Sequence, residues 1–217
     1  MKIVLMGPPG AGKGTQAKLI SNMYSIPHIS TGDIFRKQIS ENTPLGIKAK
    51  ETIDKGQLAP DDITIHMVEE RIGFEDCKAG FLLDGFPRTV VQALALESYL
   101  QKMNDKLDAV ILVEVPRSEI LERMTGRRVC LKCGASYHIH FNPTKVEGKC
   151  DVCGEVVVQR IDDQDETVKR RLRIYDEQTQ PLIKYYEEKN LLHIIDGTLN
   201  IKEVSKSICD ILGSETI

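Results

Sequence analysis

Two groups of residues in this chain have types and spacings that could do chemistry. The first is Gly7-Pro8-Pro9-Gly10-Ala11-Gly12-Lys13-Gly14-Thr15. Glycines let consecutive backbone N–H groups turn inward around an anion. A helix start behind them adds about half a positive charge, and Lys13 brings a mobile point charge to the outer phosphates. The apolar run Ile3-Val4-Leu5-Met6 before the loop and the helical spacing of Gln16 to Ile20 after it form the context that a phosphate-binding loop requires. A glycine turn with an incidental lysine is the bland alternative, but both glycines, Lys13 and the flanking elements agree on phosphate. One position departs from the general motif. Gly14 stands where a Ser or Thr hydroxyl would bind Mg²⁺, so that ligand is missing and Thr15 comes one place late.

The second group is Cys130-x₂-Cys133 and Cys150-x₂-Cys153, sixteen residues apart, with Gly134 and Gly154 following the knuckles. This is the spacing of a four-thiolate zinc site. Four thiolates close the coordination sphere, so the metal would be structural; iron could occupy the same cage. The remaining cysteines stand alone. Cys209 falls on an apolar helical seam with Val204, Ile208, Ile211 and Leu212 and reads as core, and Cys77 has no evident role.

A carboxylate and several arginines complete the chemistry. Asp84 ends the apolar strand Phe81-Leu82-Leu83, where Mg²⁺ is held in folds with a phosphate loop, although it could instead cap the next turn. Thr31 and Arg36 flank a helix start, where a hydroxyl and a guanidinium could meet a second phosphate. Gln92 lies about 60° off its helix seam and can reach a cleft edge. Arg171 lies about 60° from the buried seam of its helix, Arg170 about 160° and Arg173 about 140°, so only Arg171 borders the core. With Arg88, Arg123, Arg127 and Arg160, these residues come from separate elements that could converge on two phosphates, as phosphoryl transfer needs.

The elements that must position them follow in order. Helices are expected at about 14–24, from Ser30 past Ile39, from Pro44 to about Lys55 and from Ile63 to Ile72 under Asp61-Asp62 caps. Others follow Arg88, with a seam of Ala93, Leu96, Leu100 and Met103, and Pro116, with Ile120, Leu121 and Met124. A further helix after Thr167 buries Val168, Leu172, Tyr175, Thr179, Leu182 and Tyr186, and the last follows Asn200. Strands are expected near the N-terminus, at 26–29, 81–84, 109–113 and 192–196. Strand–helix alternation implies a five-stranded parallel, doubly wound P-loop sheet. Composition shifts at about 126–163 to a stretch rich in Cys, Gly, Lys and β-formers, which reads as an inserted subdomain.

At 217 residues, 41% hydrophobic and 28% charged, the chain suits a soluble α/β domain with an insertion. A net charge of −3 offers no basic field for nucleic acid or an anionic membrane. The four-residue apolar start is too short for a signal peptide or a membrane span, so a cytoplasmic protein is expected. A zinc-ribbon nucleic-acid binder would explain the cysteines, but not this charge balance or the scarcity of aromatics. A switch GTPase would explain the loop, but the Asn-Lys-x-Asp guanine signature is missing.

Six stretches, GPPGAGKGT at 7–15, STGD at 30–33, LLDGFPRT at 82–89, TGRRVC at 125–130, QRIDD at 159–163 and QTQPL at 178–182, resemble the adenylate kinase family over essentially the whole chain. The four cysteines resemble its bacterial long-lid, zinc-holding form. The resemblance implies a core (1–29, 60–125 and 164–217), a nucleotide-monophosphate arm (30–59) and a lid (126–163). It implies a reversible reaction, Mg-ATP plus AMP giving two ADP, carried out by a monomer. By position, Gly10, Ala11, Gly12, Lys13, Gly14 and Thr15 would cradle ATP phosphates, and Arg123 and Arg127 would clamp them from the lid. Ser136 and Tyr137 would contact the ATP nucleoside, and the backbone at Leu199 the adenine. AMP would meet Thr31, Arg36, the backbone of Gln57, Leu58 and Ala59, then Gly85, Phe86, Pro87, Arg88 and Gln92. Arg160 and Arg171 would bridge the two phosphate groups, and Asp84 would hold Mg²⁺ through water.

Overall fold

The computed structural model describes residues 1–213. β1 (Lys2–Met6), α1 (Lys13–Tyr24), β2 (His28–Ser30), α2 (Thr31–Ser40), α3 (Pro44–Asp54) and α4 (Asp61–Ile72) come first. β3 (Phe81–Asp84), α5 (Val90–Lys102), β4 (Ala109–Glu114) and α6 (Arg117–Thr125) follow. The inserted stretch holds β5 (Arg127–Cys130), β6 (Ser136–His138) and β7 (Val157–Val158). The chain then returns through α7 (Asp165–Ile174), α8 (Pro181–Glu187), β8 (Leu192–Asp196) and α9 (Ile201–Leu212).

The main sheet is parallel throughout, in the order β2-β3-β1-β4-β8. Its central strands are continuous apolar runs because helices cover both faces. Alternate residues sort cleanly between them. Val4, Met6, Ile29, Phe81, Leu83, Val110 and Leu112 face one apolar cluster with Met67, Val68, Leu96 and Tyr186. Ile3, Leu5, Leu82, Ile111 and Val113 face the other, with Ala17, Ile20, Ile120, Met124 and Ile208. β1 sits between β3 and β4, and chain order reverses there, so a crevice opens at the carboxyl ends of β1 and β3. Asp84 pairs across the sheet with Leu5 and Ser30 and therefore lies at that edge.

Several helix ends form as their sequences direct. The Ser30 hydroxyl accepts from the Asp33 N–H at 3.2 Å, and Asn200 and Glu203 make a reciprocal capping box. Asp61-Asp62 behave differently from expectation, since α4 begins at Asp61 behind Pro60 with no side-chain cap. The Asp61 carboxylate is instead drawn to Gln92 Nε2 at 2.7 Å and Thr89 Oγ1 at 3.1 Å, stronger partners than a helix end in solvent. Met103, expected in the seam of α5, lies just beyond its end and is 60% exposed. The single long helix expected after Thr167 is broken by a π turn at Tyr175–Thr179. Pro181 opens α8, and Gln180 N–H reaches back five residues to Tyr175. Val168, Thr179, Leu182 and Tyr186 are nevertheless buried, while Leu172 and Tyr175 are only half-buried.

The insertion forms its own three-stranded antiparallel sheet, β6-β5-β7, over a small cluster of Cys130, Tyr137, Cys150 and Val157. No helix among the described residues is long and apolar enough to cross a membrane.

Candidate active site

The loop between β1 and α1 is built on glycine conformations. Gly10 and Gly12 have φ of +81° and +91°, a region that other residues rarely adopt. Lys13 Nζ donates to the Gly7 and Pro8 carbonyl oxygens, both at 2.8 Å, so the lysine lies folded over its own loop. Burial lowers its pKa to about 8, with Arg88, Arg171 and Arg127 adding to the effect and Asp84 opposing it.

Asp84 stays ionised. Burial alone would raise its pKa, but His28, Lys13 and Arg88 together hold it below the usual carboxylate value. Its Oδ2 lies 3.4 Å from where a side chain on Gly14 would begin, so carboxylate and loop share one space. An oxygen-seeking cation fits that donor set: an ionised carboxylate beside a phosphate loop.

Gly85, at φ +80°, turns the chain out of β3. A Cβ there would meet Arg88 Nη2 at 2.8 Å and Thr31 Oγ1 at 3.0 Å. Without one, the Gly85 carbonyl accepts from both Thr31 Oγ1 and Arg88 Nε at 2.8 Å. Gln92 Oε1 accepts from the Arg88 N–H at 2.7 Å while its amide donates to Asp61, so this nearly fully buried glutamine ties Arg88 to α4. Thr179 Oγ1 donates to the Arg88 carbonyl. Arg36 pairs with Asp33 on α2.

Lys13, Thr31, Arg36, Gly85, Arg88, Gln92 and Thr179 line one cavity of about 140 Å³, while Asp84 and the loop residues Gly10, Ala11, Gly12, Gly14 and Thr15 are not part of its wall. Its wall takes in Gly7, Pro9 and Lys13 from the loop, Thr31 and Arg36 from α2, residues 56–59 from the link between α3 and α4, and Gly85, Pro87, Arg88 and Gln92. Arg160, Asp162, Arg171, Tyr175 and Thr179 close it from the far side. Phe86 is buried in the core behind Pro87. Arg171 reaches inward with its side chain 18% exposed, while Arg170 and Arg173 stay at the surface, as their helix angles require.

Not every expected residue lies in that wall. Arg123 is on α6, which precedes the insertion, and not in the insertion itself. It donates to the Gly197 carbonyl at 2.9 Å and to Glu119, with the Phe141 ring 6.0 Å away. Arg127, at the start of β5, is held by Asp163. Ser136 is exposed, and Leu199 is 42% exposed near the start of α9. The Tyr137 side chain points into the insertion, where its hydroxyl lies 3.4 Å from Cys150 Sγ and accepts from Asp151 N–H, so only its backbone is free to meet a ligand.

Sequence reasoning passed over Asp162 and Asp163 as partners. Asp162 accepts from Arg160 and Arg171, and Asp163, with no exposed side-chain surface, accepts from Arg127 and Arg171. His28 was passed over too; its Nε2 lies 3.6 Å from Asp84 Oδ2. Their signal was position: two acids directly after Arg160, and a histidine opening the strand beside β3.

The four cysteine sulfurs lie within 4.8 Å of one another. Gly134 and Gly154, at φ +71° and +75°, return their N–H groups to the Cys130 and Cys150 carbonyls and form two matching knuckles. Tetrahedral thiolates about 2.3 Å from a metal sit at such spacings, so this set of donors fits one ion.

A phosphate loop, an ionised carboxylate at the sheet edge and arginines from three directions define a P-loop phosphotransferase that works between two phosphate-bearing substrates. A family model described as adenylate kinase matches residues 5–191. Curated relatives named adenylate kinase share the full length: 65% identity over 215 residues with a Clostridium perfringens protein, covering 99% of this chain and 100% of the relative. A Clostridium beijerinckii protein is 65% identical and a Clostridium tetani protein 63%, each over 214 residues with 99% of both chains covered. The chain belongs to the adenylate kinase family, and its activity is the family's phosphoryl transfer between ATP and AMP.

Proposed function

We propose the following division of labour for that reaction. The cavity between Thr31, Arg36, residues 57–59, Gly85 and Gln92 receives AMP, with Arg88 on its phosphate. The loop from Gly10 to Thr15 receives the ATP phosphates, and Lys13 leaves the Gly7 and Pro8 carbonyls to meet them. Arg123 and Arg127 bear on the same phosphates from the two ends of the α6–β5 junction, while Ser136, the Tyr137 backbone and Leu199 border the ATP nucleoside. Arg160 and Arg171 lie between donor and acceptor, where guanidiniums stabilise charge spread over the transferring group. Asp84 would hold Mg²⁺, and that ion would neutralise charge on the donor phosphates. Zinc in the four-cysteine cage is structural.

Residues 30–59 act as the arm and 126–163 as a lid that excludes water, a competing acceptor, from the site. The chain works as a monomer on small molecules and has no nucleic-acid or membrane partner. Clustered metal-binding thiols suit a reducing cytoplasm.

The observation that carries this reading is the single cavity lined by Lys13, Arg36, Arg88, Arg160 and Arg171 from separate elements. A coupled assay with AMP, GMP, CMP and UMP as acceptors tests it. ADP formation should require Mg²⁺ and favour AMP strongly; equal rates with GMP or UMP would contradict the acceptor assignment.

A further inference from the structure

Three of the arginines that the site would spend on phosphates, Arg127, Arg160 and Arg171, already hold Asp162 or Asp163. Arg160 grips Asp162 in a two-pronged contact, Nε to Oδ1 at 2.8 Å and Nη2 to Oδ2. Arg171 Nη1 adds a second guanidinium to Asp162 Oδ2 at 2.8 Å and reaches Asp163 Oδ1 at 3.3 Å. Arg127 Nε donates to Asp163 Oδ2 at 2.7 Å. A planar guanidinium fork fits carboxylate and phosphate in the same way. Asp162 also lines the cavity.

We propose that Asp162, supported by Asp163, is a built-in stand-in for substrate phosphate, which a nucleotide must displace from Arg160 and Arg171. The inference rests on the reading of these arginines as a phosphate clamp, and it gives the clamp a threshold. Several cations drawn together without an anion would repel one another and resist burial. The two carboxylates let the arginines stay assembled while the site is empty. They also compete with any incoming anion. A free phosphate ion brings only its charge to that competition. A nucleotide adds the contacts of its nucleoside and so wins the exchange. Asp162 thereby sets a threshold that weakens every anion alike, and a ligand with nucleoside contacts to add overcomes it at concentrations where a simple anion does not. Its pKa of about 2, set by the two arginines against the opposing effect of burial, keeps it a competitor at all working pH values.

The test is calorimetric titration of the full-length, metal-loaded protein without Mg²⁺, using inorganic phosphate, AMP and adenosine as probes. Asp162→Asn keeps the shape and removes the charge. It should bind phosphate and AMP about tenfold tighter, a modest share of what one unit charge at contact distance is worth, with adenosine affinity unchanged. Asp162→Glu, which keeps the charge, should not gain phosphate affinity. Unchanged or weaker phosphate binding by folded Asp162→Asn would overturn the proposal. If that variant does not fold, the Asp162 carboxyl ¹³C resonance of the unaltered protein decides. It should move with AMP but not with adenosine or with phosphate at the same concentration, and a resonance that AMP leaves static would overturn the exchange. Arg160→Gln separates the two readings. Weaker AMP binding there, without the Asp162→Asn gain, removes the stand-in and leaves the clamp standing. Unchanged AMP binding removes the clamp itself.

Discussion

Lys13 shows how one residue's surroundings set a measurable property. In the empty loop its ammonium has two carbonyl acceptors, and burial lowers its pKa to about 8. Arg171 is lowered to about 9, again chiefly by burial. Both are cations whose charged form phosphate favours, so binding raises their pKa values. The sign follows: below about pH 7 both are almost fully charged and binding takes up little proton there, whereas near pH 9 Lys13 is mostly and Arg171 partly uncharged, so binding should draw in more than one proton and weaken accordingly. Titrations in buffers of different ionisation enthalpy measure this uptake. Equal uptake at both pH values would remove Lys13 from the phosphate site. The role of Lys13 was legible because the loop motif is local. Asp162 was not, because two acids after an arginine read equally well as a solvated run until Arg171 approaches from a helix nine residues on.

At the scale of elements, α2 and α3 pack so closely that a Cβ on Gly46 would sit 2.1 Å from the Gln38 carbonyl oxygen. Gly46→Ala should therefore push the two helices apart. We expect a loss of about 1–3 kcal/mol, as for other overpacked contacts, and a raised KM for AMP with kcat less affected. A wild-type melting curve and KM would show that the α2–α3 contact tolerates the change. The zinc cage is the second element-scale test. The insertion buries little besides Cys130, Tyr137, Cys150 and Val157, so the metal supplies what a small core lacks. Cys130→Ser or chelation should lower the thermal midpoint yet leave low-temperature turnover within about tenfold, a barrier change of about 1.4 kcal/mol. Turnover lost while the insertion stays folded would make the site catalytic. Strands with continuous apolar runs, and helices with caps, were legible at this scale. The π turn at Tyr175–Thr179 was not, since the apolar seam runs across it and only Pro181 hints at a break.

At the scale of the whole molecule, the account rests on distant segments meeting at one cavity. Parallel-sheet topology was readable from alternating strands and helices, and it places Asp84 beside the loop without further information. The convergence of Arg36, Arg88, Arg160 and Arg171 depends on how α2, α3 and the insertion pack over the main sheet, which no local spacing encodes. The insertion already touches α1 in this structure, where Lys18 Nζ donates to the Gly134 carbonyl at 3.0 Å. Two neighbours on α7 test the convergence most directly. Arg171 enters the cavity wall, and Arg170 sits at the surface with a bond to the Lys55 carbonyl. The measurement is steady-state ADP formation from Mg-ATP and AMP by Arg171→Lys and Arg170→Ala. The account predicts that Arg171→Lys loses about 10²–10³ in kcat, the scale of a lost preorganised charge contact, because lysine cannot copy a guanidinium fork. Arg170→Ala should stay close to the parent, and equal losses in the two variants, or none in Arg171→Lys, would contradict it.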